Sequence, residues 1–183
     1  MRVLLILMLI ALLALPAAAL DVAGVPMEPT AMVNGHSLQL NGSGIRKKFF
    51  VKVYIGSLYS AKRLTRAVEA LADRGDKLIR MNFLHSKVDK EKIIEAFSEG
   101  FTNNTPDLAG SSEVKRFLSF FSADFKRGDV VDLVLGSDGT VLARHNNKVL
   151  GTIVSGKLAT AILAIYLGER PADDGLKNGM LGG

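Results

Sequence analysis

Residues 49–60 read FFVKVYIGSLYS and predict the central β-strand of the fold. Successive side chains of a strand point to opposite faces, so the β-branched residues at positions 51, 53 and 55 share one face. Phe50, Lys52 and Tyr54 share the other face, and Gly56-Ser57 interrupts the alternation as a candidate β-bulge. Because bulky side chains lie on both faces, we expect other parts of the chain to pack on either side.

Short β-like runs separated by turn residues precede this strand. Residues 30–33 lead into Asn34-Gly35, a dipeptide typical of tight turns. Residues 37–40 alternate polar with apolar side chains, and Asn41-Gly42-Ser43-Gly44 then predicts a second turn. These runs are typical of antiparallel strands that follow one another along the chain.

Amphipathic helices are predicted in the middle of the chain, over about residues 65–74, from Ser86 onward, and over about residues 111–125. Most of the nine phenylalanines fall in the second and third helices and at positions 49–50, so we expect these segments to meet. Strand-like runs at 129–135, 140–144 and 148–154 precede a helix capped by Ser155 and a short helix from Asp173 to Met180. This order predicts one α+β domain over residues 20–183, an antiparallel sheet with helices packed on one face.

Composition excludes several classes of protein. The 183 residues contain no cysteine, which excludes disulfide scaffolds, thiolate metal sites and cysteine nucleophiles. With 48% hydrophobic and 22% charged residues, the chain is not of the disordered class. The net charge of +5 is modest and no aromatic platform accompanies the basic clusters, so we predict no binding of nucleic acid.

The first nineteen residues are typical of an export signal. Arg2 precedes an apolar run from Val3 to Leu15, and an A-x-A site predicts cleavage after Ala19. Those thirteen apolar residues are fewer than the roughly 20 needed to span a bilayer, and no later segment reaches that length. We therefore expect a cleaved signal peptide over residues 1–19, a periplasmic or secreted protein, and no stable membrane span after cleavage.

Familiar catalytic and metal-binding patterns are missing from the sequence. The three histidines have no spacing typical of a metal site, so we predict neither a metal nor another cofactor. There is no G-x-S-x-G nucleophile motif, and the candidate carboxylates at Asp138-Gly139 and Asp173-Asp174 fall in predicted turns or caps.

Arg46 and Tyr54 are the candidate ligand-binding pair. An inward Arg46 could hold a carboxylate, phenolate or enolate through paired hydrogen bonds, and Tyr54 could donate its hydroxyl to the same oxygen. The alternative is that Arg46 is a solvated turn charge and Tyr54 an ordinary sheet residue. Four helical phenylalanines either line the apolar part of this pocket or form plain core: Phe97, Phe101, Phe117 and Phe121.

The chain resembles the chalcone isomerase family, in particular its bacterial exported members. The resemblance rests on V-x-M-E-P-T near Val25, LNGSGIRKKFFVKVY at 40–54, EAFSEGF at 95–101, RGDVVDL at 127–133 and YLGERPADDGLK at 166–177. It implies the open-faced β-sandwich of that family, with Arg46 matching the arginine that steadies the oxyanion in plant isomerases. Tyr54 resembles a tyrosine with which fatty-acid-binding relatives hold a carboxylate.

Three functions follow from these observations. The first is a binding protein for a small amphipathic or aromatic ligand, such as a fatty acid, with Arg46 and Tyr54 at its polar end. The second is an intramolecular lyase of the chalcone isomerase type, in which Arg46 is the catalytic residue that stabilises the oxyanion. The third is a protein–protein module whose pocket is filled by side chains. The departure from the plant pattern at Phe101, which has no hydroxyl to donate, favours binding over cyclisation.

Overall fold

One curled antiparallel sheet of seven strands organises the computed structural model, which describes residues 20–183. The strands are β1 (Leu20–Val22), β2 (Val25–Met27), β3 (Thr30–Val33), β4 (His36–Lys48), β5 (Val51–Ser60), β6 (Lys77–Phe83), β7 (Lys87–Val88), β8 (Phe125–Lys126), β9 (Val130–Leu135), β10 (Thr140–His145) and β11 (Lys148–Val154). The main sheet has the order β11-β10-β9-β6-β5-β4-β3, while β1 pairs with β2 and β7 with β8. The predicted signal peptide at residues 1–19 lies outside the described residues.

Helices cover one face of this sheet. They are α1 (Ala67–Ala72), α2 (Lys90–Asn104), α3 (Pro106–Ala109), α4 (Ser112–Leu118), α5 (Gly156–Leu167) and α6 (Asp174–Met180). Side chains of β6 alternate between the two faces of the sheet. Ile79 and Met81 pack in the large core beneath the helices, whereas Leu78 packs in a smaller cluster on the opposite face. The predicted α+β class, an antiparallel sheet with helices on one face, is confirmed. None of the helices in this part of the chain is long and apolar enough to cross a membrane.

The predicted turn at Asn41-Gly42-Ser43-Gly44 is wrong, because these residues lie within the 13-residue strand β4. Their glycines serve the close approach of α6. A Cβ on Gly44 would lie 2.7 Å from the Cα of Leu176, and one on Gly42 would overlap the backbone oxygen of Gly179. The sequence therefore places glycine here because backbone packs directly on backbone, and the chain does not reverse direction.

The chain reverses at Phe49-Phe50 instead, between β4 and β5. Both phenylalanines are exposed, so the expectation that they meet the phenylalanines of the helices is wrong. The bulge expected at Gly56-Ser57 is also absent, since β5 pairs with β6 without interruption there. The register shifts lie elsewhere in the β4–β5 ladder. At one of them Arg46 pairs with Tyr54 and Lys47 pairs with Lys52, so Val53 has no partner on β4 and forms a bulge.

Two helix boundaries also differ from the predictions. Helix α2 begins at Lys90, because Lys87 and Val88 form the short strand β7 against β8. The predicted helix at 111–125 ends at Leu118 in α4, and Phe121 reaches the core from the turns that follow. The predicted cap at Ser155 is present, with its Oγ accepting from the amide of Leu158 at 3.2 Å.

Candidate functional site

Arg46 and Tyr54 lie opposite one another on β4 and β5, close to the bulge at Val53. Tyr54 belongs to the core beneath the helices, and Arg46 lies beside it on the same face of the sheet. The two side chains are 9% and 5% exposed, respectively. The interpretation of Arg46 as a solvated turn charge is therefore wrong, whereas its immediate neighbours Lys47 and Lys48 are exposed.

The segment before α6 fixes the position of the arginine. The Nη1 of Arg46 donates to the carbonyl oxygen of Ala172 at 2.7 Å, and the amide of Lys47 donates to the Oδ2 of Asp173 at 3.0 Å. Within residues 20–183, no carboxylate lies within ion-pairing distance of Arg46. A nearly buried guanidinium without an anionic partner is electrostatically unfavourable, so this position favours the arrival of an anion.

A small internal cavity of about 20 Å³ lies beside the guanidinium. It is lined by Arg46, Tyr54, Met81, Ile93, Ala96, Phe97, Ile165, Tyr166 and Ala172. A cavity of this size accepts about one water molecule or one oxygen-sized group. The arrangement suits an anionic head group at the arginine, whereas a whole hydrocarbon chain does not fit into this cavity.

Tyr166 is the functional candidate that sequence reasoning missed. It lies near the end of α5, is 1% exposed, and its hydroxyl donates to the Sδ of Met81 at 3.3 Å. Its signal in the sequence was a single phenol within the apolar run AILAIYL of residues 161–167. Because a buried phenol usually finds a polar partner, that pattern could have marked Tyr166.

Burial governs the protonation of both phenols. Burial raises the pKa of Tyr54, while the charge of Arg46 and the hydroxyl of Tyr166 act in the opposite direction. Burial raises the pKa of Tyr166 further, well above its usual value, and the neighbouring Tyr54 adds to the increase. Both hydroxyls therefore keep their protons near neutral pH and can donate hydrogen bonds to an anion.

An open groove of about 420 Å³ continues outward from the cavity. Arg46, Ile93 and Ala96 line both spaces. The groove runs between α2 and the β4–β5 hairpin, and its apolar lining includes Phe49, Val51, Val53 and Val88. Its volume falls in the range of roughly 300–1,000 Å³ typical of small-molecule sites.

The four predicted phenylalanines separate into two groups. Phe97 lines the small cavity beside Arg46. Phe101, Phe117 and Phe121 are buried in the core behind it, where Phe117 packs edge-on against the other two rings and Phe121 stacks on Phe97. Asn104, at the end of α2, holds the loop after α5 by donating to the carbonyl of Arg170 at 2.8 Å.

A larger open hollow of about 790 Å³ lies between the β1–β2 hairpin and the end of the sheet. Its cationic members Lys52 and Arg127 are exposed, so water screens their charges, whereas the guanidinium of Arg46 is nearly buried. In the described part of the chain, no three His, Asp or Glu side chains come together as a metal site would require.

Comparison with known proteins agrees with this architecture. The sequence model of the family described as chalcone isomerase-like matches residues 19–182. Fatty-acid-binding protein 1 of Arabidopsis thaliana is 25% identical to this chain in an alignment 178 positions long. The alignment covers 80% of this chain and 64% of the length of that relative. The crystal structure of an Arabidopsis thaliana fatty-acid-binding protein matches the fold with a TM-score of 0.62 at 20% identity, covering 83% of this chain and 95% of that one. The chain belongs to the chalcone isomerase-like family.

Proposed function

We propose that this protein binds a small amphipathic acid, such as a fatty acid, with the carboxylate at Arg46 and the chain in the adjoining groove. The observation that carries the proposal is a guanidinium that is 9% exposed and has no carboxylate partner among residues 20–183. One relative, the fatty-acid-binding protein 1 of Arabidopsis thaliana, matches this chain both in sequence and in fold, and its name supports this class of ligand.

The head group is recognised by charge and by hydrogen bonds. One Nη of Arg46 is occupied by the carbonyl of Ala172, which holds the guanidinium in place and leaves its other donors for a ligand. The protonated hydroxyls of Tyr54 and Tyr166 border the same cavity. A carboxylate oxygen entering that cavity would exchange its water for charge-assisted hydrogen bonds, which are about twice as strong as neutral ones.

The chain of the ligand lies outward, because the cavity of about 20 Å³ cannot contain it. The groove supplies Val53, Val88 and Ile93 as apolar contacts. Each methylene removed from water there contributes about 0.8 kcal/mol. A carboxylate without a hydrocarbon chain, such as acetate, would therefore bind far more weakly than a long-chain acid.

Export belongs to the same proposal. Residues 1–19 carry the basic, apolar and small-residue segments of a signal peptide, and the ligand-binding chain then begins at Leu20. An intact-mass measurement of protein recovered from the host's periplasm or medium tests this. We expect an N-terminus at Leu20, and a secreted chain that still begins at Met1 would refute cleavage.

Binding is tested with delipidated protein and palmitate by native mass spectrometry and by isothermal titration. We expect Arg46→Gln to weaken palmitate binding by at least tenfold, because the variant keeps a hydrogen-bond donor and loses the charge. Arg116→Gln is the matched control, since Arg116 is an exposed arginine on α4 remote from the groove. Unchanged affinity in a folded Arg46→Gln protein would refute the proposed site.

A further inference from the structure

The tip of the β4–β5 hairpin exposes two aromatic side chains to solvent. Phe49 is 87% exposed, Phe50 is 101% exposed, and the adjacent Val51 is 42% exposed. Scattered surface apolar residues are common, but three consecutive ones at the end of a protruding turn form a concentrated apolar point. Burying two phenylalanines elsewhere would stabilise the fold, so their exposure calls for a partner outside the chain.

The backbone at the tip is not suited to an aromatic residue. Phe49 has a φ of 55°, in the left-handed region where glycine or asparagine is usual and bulky residues are rare. The turn between β3 and β4 follows the usual choice, with Asn34-Gly35. The phenylalanine at position 49 therefore does not serve the turn itself.

Cations surround the apolar tip. Lys47, Lys48 and Lys52 are exposed on the two strands just behind it, and Lys47 lies directly opposite Lys52 in the ladder. Like charges opposite one another destabilise a strand pair. In the described part of the chain, none of the three forms an ion pair, and the nearby carboxylate of Glu95 is held by Lys92 at 2.9 Å.

We propose that this hairpin tip, Phe49-Phe50 with its three lysines, docks on the surface of an anionic lipid bilayer. The phenyl rings enter the boundary between head groups and acyl chains, and the lysine ammonium groups contact lipid phosphates while their stems lie along apolar atoms. Charge complementarity selects the bilayer as partner. A protein partner is disfavoured because a two-residue tip offers far less than the roughly 800 Å² per side of a stable protein interface.

Docking in this way places the groove at the lipid surface. Phe49 and Val51 belong to the tip and also line the groove that leads to Arg46. An amphipathic molecule could then pass between the bilayer and the groove past Phe49, Val51 and Val53. The docking itself requires no ligand, so it can be measured separately from fatty-acid binding.

Co-sedimentation with sucrose-loaded vesicles tests the proposal. Vesicles of phosphatidylcholine with 30% phosphatidylglycerol are compared with vesicles of phosphatidylcholine alone, using the protein without residues 1–19. We expect Phe49→Ser/Phe50→Ser to lower the partition coefficient at least tenfold on both kinds of vesicle. Lys47→Gln/Lys48→Gln should lower it about fivefold per lysine on the anionic vesicles only, and 0.5 M NaCl should mimic that loss.

Val68→Ser/Val154→Ser is the matched control, because Val68 and Val154 are 65% and 74% exposed and lie away from the tip. The control should bind vesicles like the parent protein. Thermal unfolding checks that the tip variant is folded, and serine at the tip is not expected to lower its melting temperature. Equal vesicle binding by the parent and the folded tip variant would overturn the proposal. The proposal would also be overturned if the parent protein did not bind vesicles but formed a dimer, and the tip variant were monomeric.

Discussion

Gly44 and Gly56 lie opposite each other in the β4–β5 ladder and both face α6, yet we expect very different results when each is changed to alanine. A Cβ at position 44 would lie 2.7 Å from the Cα and 2.8 Å from the backbone oxygen of Leu176. A Cβ at position 56 would overlap the flexible ends of Leu176 and Met180, at 2.7 and 2.9 Å, and would make an ordinary contact with the ring of Tyr54 at 3.5 Å. Side-chain ends can rotate away, whereas the backbone of a packed helix can yield only if the helix moves.

Overpacking of this kind costs about 1–3 kcal/mol, so we expect about 3 kcal/mol for Gly44→Ala and about 1 kcal/mol for Gly56→Ala. The entropic benefit of replacing a strand glycine applies to both variants and cancels in their difference. A difference of about 2 kcal/mol corresponds to roughly 4–8 °C in melting temperature for a chain of this length. Urea denaturation followed by circular dichroism measures the difference in the free energy of unfolding.

Gly156→Ala provides the reference, because nothing lies within 4 Å of a Cβ there and the residue begins α5. This variant should be neutral or stabilised by about 0.4–1 kcal/mol. Because Ala172 and α6 hold Arg46, Gly44→Ala should also weaken palmitate binding more than Gly56→Ala does. Equal losses of stability in the Gly44 and Gly56 variants would refute the argument that α6 packs backbone against backbone.

Three further results follow from the same structure. Although burial alone would raise it, hydrogen bonds from Lys62 and Lys77 hold the pKa of Asp73 at about 2, below its usual 3.8. The ionised Asp73 thus stabilises the folded protein above pH 4, and this stabilisation disappears as the pH falls towards 2. Between pH 4 and pH 2, urea denaturation should therefore show a smaller decrease in the free energy of unfolding for Asp73→Asn than for the parent protein. Tyr54→Phe should weaken palmitate binding about three- to tenfold without changing the melting temperature by more than a few degrees, whereas unchanged affinity would exclude the hydroxyl from the site. Ala96 lines both the cavity and the groove, so Ala96→Leu should reduce the affinity for palmitate more than the affinity for acetate in the same titration. Equal reductions would mean that the hydrocarbon chain of palmitate lies outside this groove.

Local patterns were sufficient for most of the fold. The alternation from Val51 to Ile55 predicts the strand that the structure has as β5, and the apolar spacing of Ile93, Phe97 and Phe101 predicts the inner face of α2. The glycines at 42 and 44 could not be interpreted locally, because a turn and a close approach of two backbones both require a missing Cβ. The deciding neighbour, Gly179, lies far along the chain.

The sequence predicted the arginine and the tyrosine of the candidate site, but not the residues from other elements that surround them. Arg46 and Tyr54 were predicted from their hydrogen-bonding chemistry and from the resemblance of their segment to a family, and the structure places them opposite each other with little exposure. Tyr166 and Ala172 enter the site only through the packing of α5 and the segment before α6 against the sheet. No spacing rule relates residues so distant in sequence, so their roles required the three-dimensional arrangement.

The hydrogen bond from Arg46 to Ala172 joins residues separated by 126 positions. During synthesis the arginine therefore emerges long before the carbonyl that orients it, and its charge remains hydrated throughout that interval. Contacts between such distant residues form late, since the intervening chain must first be ordered. A nascent chain thus lacks the oriented guanidinium on which the proposed binding depends until the segment before α6 has packed against the sheet.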